Sequence, residues 1–269
     1  MAKTKLNGGA VAKTKSRNPV IQFDKLQMYF GEPYIIDLEN CEGKIQINQP
    51  TIGDVVRFGE KPFYSTLSIF VTNTTTYRLT LWEMGLDWNE VSDFELFIML
   101  KNGINANASA LMFGDLDWSK FELSQKTIGE EKKIILYDAE NGIEINEEVY
   151  FHISQYLRAV FNMTPEEKIT TDKILRQWYI TKDQRQKAID KEKGEESTSI
   201  QSIISACVNH PGFKYNLEEL KNVGVCQFYD SVKRIQVYEN TTALLGGMYS
   251  GMIDSSHLKE SDYNFMKNI

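Results

Sequence analysis

The chain has 269 residues, enough for one large core or two medium ones, and its 42% hydrophobic and 25% charged residues are ordinary for a globular protein. Its charge is uneven: Lys3, Lys5, Lys13, Lys15 and Arg17 precede the first acid, Asp24, and setting this +5 aside from the net −7 leaves a body near −12, which repels nucleic-acid phosphate. Cys41, Cys207 and Cys226 give neither a disulfide framework nor a zinc spacing and indicate a reducing compartment, and with no run of roughly 18 apolar residues and no apolar signal core, neither membrane insertion nor secretion is expected.

Residues 1–19, where the cations are interleaved with Asn7, Gly8, Gly9 and threonines, read as a solvated, flexible tail. Beyond it, Tyr34-Ile35-Ile36-Asp37-Leu38 and Lys44-Ile45-Gln46-Ile47 flank the turn-like Glu39-Asn40-Cys41-Glu42-Gly43 and predict a hairpin. Thr51 followed by Asp54 predicts a capping box, in which each side chain accepts from an otherwise free backbone N–H, opening a helix with Ile52, Val55 and Val56 on one face. Pro62 lacks the N–H that a first-turn residue would leave unpaired, so it is placed to begin another helix with Phe63, Leu67, Phe70 and Val71 as its stripe. Ser92 and Glu95 repeat the capping box before Phe94, Phe97, Ile98 and Leu100, so three short helices alternate with turns over 51–103.

From 108 to 137 the pattern turns short and strand-like, at Leu111-Met112-Phe113 and at Lys133-Ile134-Ile135-Leu136-Tyr137. The second run meets Glu144-Ile145 across Asn141-Gly142, a pair that readily takes positive φ and so predicts a hairpin. Asn146 caps the next helix, whose Val149, Ile153, Tyr156, Leu157, Val160 and Phe161 keep the 3.6-residue period. Met163-Thr164-Pro165-Glu166 breaks that period and divides an α+β domain, 20–163, from a helical domain, 164–269. In the latter, 171–193 predicts a helix carrying Ile174, Leu175, Trp178 and Tyr179 early and charge afterwards, its second half in solvent, and 194–198 reads as a linker. Ile200, Ile203, Ile204, Cys207 and Val208 form a helix stopped by Pro211-Gly212. Asn216 and Glu219 make a third capping box, and Val225, Phe228, Val232 and Ile235 begin a long last helix. The fold class is α+β and helix-rich, with short helices and β-hairpins in the N-terminal part and an α-helical bundle in the C-terminal part.

No chemistry-bearing motif emerges along the way. His152, His210 and His257 stand in unrelated contexts without a metal-ligand spacing and read as structural. Gly246-Gly247-Met248-Tyr249-Ser250-Gly251 lacks the Gly-Lys-Ser/Thr of a phosphate loop and follows a helix, so it reads as a helix terminus or close-packing turn. Asp87, Asp115 and Asp117 miss the calcium-loop pattern and read as solvated turns. Neither a nucleophile elbow, a Cys/His pair nor a dinucleotide fingerprint occurs. The residues thus assign no catalytic group, no metal and no cofactor.

Two blocks carry a resemblance. The first is Gln49-Pro50-Thr51-Ile52-Gly53-Asp54-Val55-Val56-Arg57-Phe58-Gly59-Glu60, leading into Leu81-Trp82 and Val91-Ser92-Asp93-Phe94-Glu95-Leu96-Phe97. The second is Ser202-Ile203-Ile204-Ser205-Ala206 through Phe213-Lys214-Tyr215-Asn216, then Leu244-Leu245-Gly246-Gly247-Met248-Tyr249-Ser250-Gly251-Met252-Ile253-Asp254. They resemble a family of tailed phages and prophages of low-GC Gram-positive bacteria that is associated with tail-assembly modules. The resemblance spans most of 34–254 and attaches no catalytic residue. It implies a non-enzymatic tail or virion assembly protein, chaperone-like or incorporated, in the host cytoplasm during assembly or in the virion tail. Its partners would be other phage tail or virion proteins or further copies of itself, with no small-molecule substrate, no membrane and no nucleic acid.

Within that reading, the contact residues expected on the last helix are Phe228, Tyr229, Tyr238, Leu244, Leu245, Met248 and Tyr249, since a long apolar helix can use one stripe for the core and offer another. Two alternatives make different demands on the fold. A hydrolase would need a deep pocket lined by two acids with separated pKa values. A module for carbohydrate or host surface would need an exposed platform at Trp82, Trp88 or Trp118.

Overall fold

The computed structural model describes residues 21–38, 43–128, 131–193, 199–254, 256 and 258–267. The expected tail at 1–19, the first hairpin's turn at 39–42 with Cys41, the linker at 194–198 and His257 lie outside the described residues. The fold is α+β and helix-rich, with two small antiparallel sheets in the N-terminal half and helices C-terminally.

A short helix, α1 (Lys25–Tyr29), leads into the hairpin β1 (Tyr34–Asp37) and β2 (Lys44–Ile47), in which Tyr34 faces Ile47 and Asp37 faces Lys44. Alternation turns Ile36, Ile45 and Ile47 inward and leaves Ile35, Asp37 and Lys44 outside. The capping box of Thr51 and Asp54 starts α2 (Ile52–Phe58) as expected. Helix α3 (Glu60–Val71) begins two residues before Pro62, which sits in the first turn. A further helix, α4 (Arg78–Glu83), stands where the sequence gives only three apolar residues, Leu79, Leu81 and Trp82, and no side-chain cap. The second capping box, Ser92 with Glu95, opens α5 (Asp93–Leu100).

The strand expected at Leu111-Met112-Phe113 is instead the end of α6 (Ala106–Phe113). Asn105 caps its start, Ala106, Ala108 and Ala110 favour helix, and Gly114 at φ 61° stops it, signals that a three-residue apolar run conceals. The second sheet has the order β3-β4-β5: β3 (Glu122–Ile128), β4 (Glu131–Asp138) and β5 (Ile143–Ile145). Gly142 takes φ 66° in the predicted turn, whereas β3, mostly polar and exposed, has no apolar alternation to betray it. Asn146 caps α7 (Glu147–Val160).

Residues 161–172 carry no regular element, and α8 (Lys173–Lys193) follows. Then come α9 (Ile200–Val208), α10 (Leu217–Leu220) behind its Asn216–Glu219 capping box, and α11 (Val225–Tyr249).

The main core is centred on α3. Phe63, Leu67 and Phe70 pack with Tyr150, Ile153, Leu157 and Val160 of α7 and with Phe94 and Phe97 of α5. Phe70 lies 4.9 Å from both Phe113 and Trp118 and 5.5 Å from Phe97, and Phe97 stacks on Tyr150 at 4.7 Å. Such ring pairs add about 0.5–1.5 kcal/mol each beyond area burial. Leu220, Val223, Val225 and Phe228 join the same core from the C-terminal side. Their backbone seat is close: Ile52 N–H donates to Val223 O at 2.9 Å, Gly53 N–H to Lys221 O at 3.0 Å, and Val225 N–H to Pro50 O at 3.1 Å. A Cβ on Gly53 would stand 2.4 Å from Lys221 O, so only glycine admits this approach.

Candidate protein-interaction surfaces

Helix α8 is held by one side only. Asp172 accepts from the backbone N–H groups of Ile174 and Leu175 at its start. Ile180 is fully buried in a small second cluster with Leu81, Trp88 and Leu96. Two ion pairs pin the same side: Arg78 bonds Asp183 through Nε and Nη2 at 2.5 and 2.6 Å, and Arg176 pairs with Asp87. The fork geometry of arginine makes such bidentate pairs directional, which fixes the helix's rotation as well as its place.

On the opposite side α8 offers apolar surface to solvent. Ile174 is 82% exposed and Trp178 54%, with Ile189 about three turns beyond Trp178 along the same face. Lys173, Lys182 and Arg185 border this stripe, and Lys182 Nζ lies 5.4 Å from the Trp178 ring centre, a cation–π distance. The sequence places Ile174 and Trp178 on an apolar stripe; the structure turns that stripe outward and lets Tyr179 and Ile180 make the inward contact.

The residues expected as contacts on α11 divide along the helix. Phe228 is a core residue, fully buried against Tyr229 and edge-on to Phe213, and reaches no surface. Tyr229 is half-buried, its hydroxyl 2.5 Å from that of Tyr64, and burial raises both phenols above their ordinary range. Leu244, Leu245 and Met248 are half-buried, while Tyr238 and Tyr249 are exposed, Tyr249 by 86%. Tyr238 packs edge-on against Phe265 at 5.9 Å, and Arg234 Nη1 donates to the carbonyls of Phe265 and Lys267, folding the C-terminal stretch back along α11.

The glycine run is a helix terminus, as its context implies. Met252 and Ile253 N–H both donate to Gly247 O, Gly251 takes φ 74°, and a Cβ on Gly247 would meet Ile253 Cδ1 at 2.4 Å. This turn displays Met252, 86% exposed, beside Tyr249. Met252 and Met266 escape the sequence reading because neither lies on a helical stripe.

A third feature is a cleft of about 240 Å³ between β1 and the start of α7, into which Asp37, Glu144, Glu148 and His152 look. Lys44 holds Asp37 at 3.1 Å and Lys126 holds Glu144 at 2.6 Å, while Tyr34 Oη lies 2.9 Å from His152 Nδ1. His210 is structural too: Gly212 N–H donates to its Nδ1 at 3.0 Å and its Nε2 faces Glu239 at 3.1 Å. Trp88 and Trp118 belong to the core, so of the three tryptophans a carbohydrate platform would use only Trp82 reaches the surface. Burial pushes the Cys226 thiol up to about 11 and raises that of Cys207 as well, so neither offers a ready thiolate. Among the described residues, no group of three or more His, Cys, Asp or Glu is placed to hold a metal ion, and no helix is long and apolar enough to cross a membrane.

Residues 190–269 match a family model described as the YomV second domain. The match takes in the end of α8, all of α9, α10 and α11, and the C-terminal turn with Tyr249 and Met252. It is a phage-type domain, which fits a phage-associated protein and suggests a phage-related role. No curated protein and no solved structure matches the chain.

Proposed function

We propose that this chain is a non-enzymatic protein of tailed-phage assembly that works by binding other phage tail or virion proteins, as a chaperone-like factor or as an incorporated tail component. The observation that carries the reading is a set of large exposed apolar side chains, among them Ile174 and Trp178 on α8 and Tyr249 and Met252 at the far end of α11. Side chains of this size left in water at two helical sites mark surfaces completed by another molecule. The similarity of 190–269 to a phage-type domain supports placing that molecule among phage proteins, in the host cytoplasm during assembly or in the virion tail. The hydrolase alternative has less support, since two of the three acids in the cleft are already engaged by lysines.

Quantitative mass spectrometry of purified virions beside the infected-cell lysate tests this. A fixed copy number in particles identifies a tail component, and abundance in lysate in complex with tail proteins identifies an assembly factor. Absence from particles together with absence of any tail-protein complex in lysate overturns the proposal.

A further inference from the structure

Helix α8 has two faces of opposite kind. Arg176, Ile180, Asp183 and Lys187 recur at helical spacing on the side turned to the body, where Arg176 pairs with Asp87, Asp183 with Arg78, and Lys187 with Glu83 at 3.4 Å. On the side turned away, Ile174, Trp178, Thr181, Arg185 and Ile189 recur at the same kind of spacing, and a shallow hollow of about 760 Å³ runs along them. From Ile174 to Ile189 this stripe is about 22 Å long, the length of a packed helix of about 15 residues.

The border of the stripe sets the chemistry of whatever covers it. Lys173, Lys182 and Arg185 are exposed, none pairs with an acid among the described residues, and no acid lines the hollow beside them. This basic rim stands on a chain whose net charge is −7. A second copy fits it badly. The midpoint of the stripe falls between Thr181 and Lys182, so a two-fold antiparallel pairing of α8 with itself sets the two Lys182 ammoniums against each other, and a parallel pairing opposes every cation to its own copy. An anionic bilayer calls for a continuous apolar face, which Thr181 and Arg185 interrupt between Trp178 and Ile189. A nucleic acid would use the cations and the Trp178 ring but leave Ile174 and Ile189 uncovered, and an acidic body repels it.

We propose that α8 receives an acidic amphipathic helix of a partner protein, which lays its apolar side chains on Ile174, Trp178 and Ile189 and sets carboxylates beside Lys173, Lys182 and Arg185. This rests on the reading of α8 as a partner surface and adds the partner's chemistry. Thr181, small and central, lets the two backbones approach. The clamps at Asp183 and Arg176 hold the face in place before the partner arrives, so binding loses little to ordering.

Two synthetic peptides of about 20 residues, titrated calorimetrically into the full-length protein, test this. One carries leucines at helical spacing flanked by glutamates; the other has lysines in place of the glutamates. The wild type is expected to bind the glutamate peptide at least about tenfold tighter than the lysine peptide, the combined weight of three exposed ion pairs, and this preference shrinks about threefold or more when salt rises from about 0.05 to 0.5 M. The triple variant Lys173→Glu, Lys182→Glu and Arg185→Glu, changed only at exposed positions, is expected to reverse the order, and Ile174→Ser with Trp178→Ser to weaken both peptides. No binding, no preference, or a preference that the triple variant leaves in place overturns the inference. Dimerisation in sedimentation velocity that Trp178→Ser abolishes also overturns it, by giving the face to a second copy. Binding to phosphatidylglycerol vesicles or to oligothymidylate that the triple variant removes does the same, by giving the face to a bilayer or a nucleic acid. The virion and lysate measurement is independent of these results: tail-protein complexes there without a peptide preference here remove the acidic helix and leave the assembly reading standing, and the converse pair of results does the reverse.

Discussion

Helices α7 and α8 follow one another in the chain and treat their apolar residues in opposite ways. On α7, Tyr150, Ile153, Tyr156, Leu157 and Val160 are all buried in the main core. On α8, Ile180 alone among the described side chains is fully buried, two Arg–Asp pairs clamp the same side, and Ile174, Trp178 and Ile189 face solvent. One helix is therefore part of the solvent-excluded scaffold, and the other is a presented element whose orientation is set by polar clamps. An apolar stripe states that a face wants a partner; the rest of the fold decides whether the partner is within the chain.

The contrast can be broken from either side. Leu157→Ala on α7 removes a fully buried side chain and is expected to cost about 2–5 kcal/mol in urea denaturation. Gly53→Ala, which forces a methyl against Lys221 O at the seat of α11, is expected to cost about 1–3 kcal/mol by the same measurement. Asp183→Asn weakens the clamp on the largely buried Arg78 by about 1–2 kcal/mol, and its mark is regional: hydrogen exchange speeds up in α8 while α7 keeps its protection. The double change Ile174→Ser and Trp178→Ser is expected to cost no more than about 1 kcal/mol, because neither residue belongs to a core cluster and both are exposed. A loss as large as that from Leu157→Ala would mean that α8 faces the interior and that the contrast is false.

Much of the scaffold is legible in the sequence because local chemistry specifies it. All three capping boxes, at Thr51, Ser92 and Asn216, stand where their residues imply, as do the Asn141-Gly142 hairpin and the face of α7. What escapes is set by distant neighbours. Strand β3 exists because β4 offers an edge, and α6 hides inside an apolar run too short to show a period. Burial of Trp88 and Trp118 depends on Ile180 and Phe70, residues far away in the chain. The candidate surface divides in the same way. The tight turn of the glycine run can be read from its type, but its partner Ile253 cannot, and the last helix carries no local mark separating the buried Phe228 from the exposed Tyr249.

The most direct test of the account is to purify affinity-tagged protein from phage-infected cells and quantify the tail proteins that accompany it, for the wild type and for a variant carrying Ile174→Ser, Trp178→Ser, Tyr249→Ser and Met252→Ser. All four side chains are solvent-exposed, so the variant should melt within a few degrees of the wild type while recovering at least about tenfold less of the tail proteins, the effect of losing about 1.4 kcal/mol of contact. Equal recovery by both proteins, or no tail protein with either, would contradict the claim that these surfaces are where the chain meets its partners.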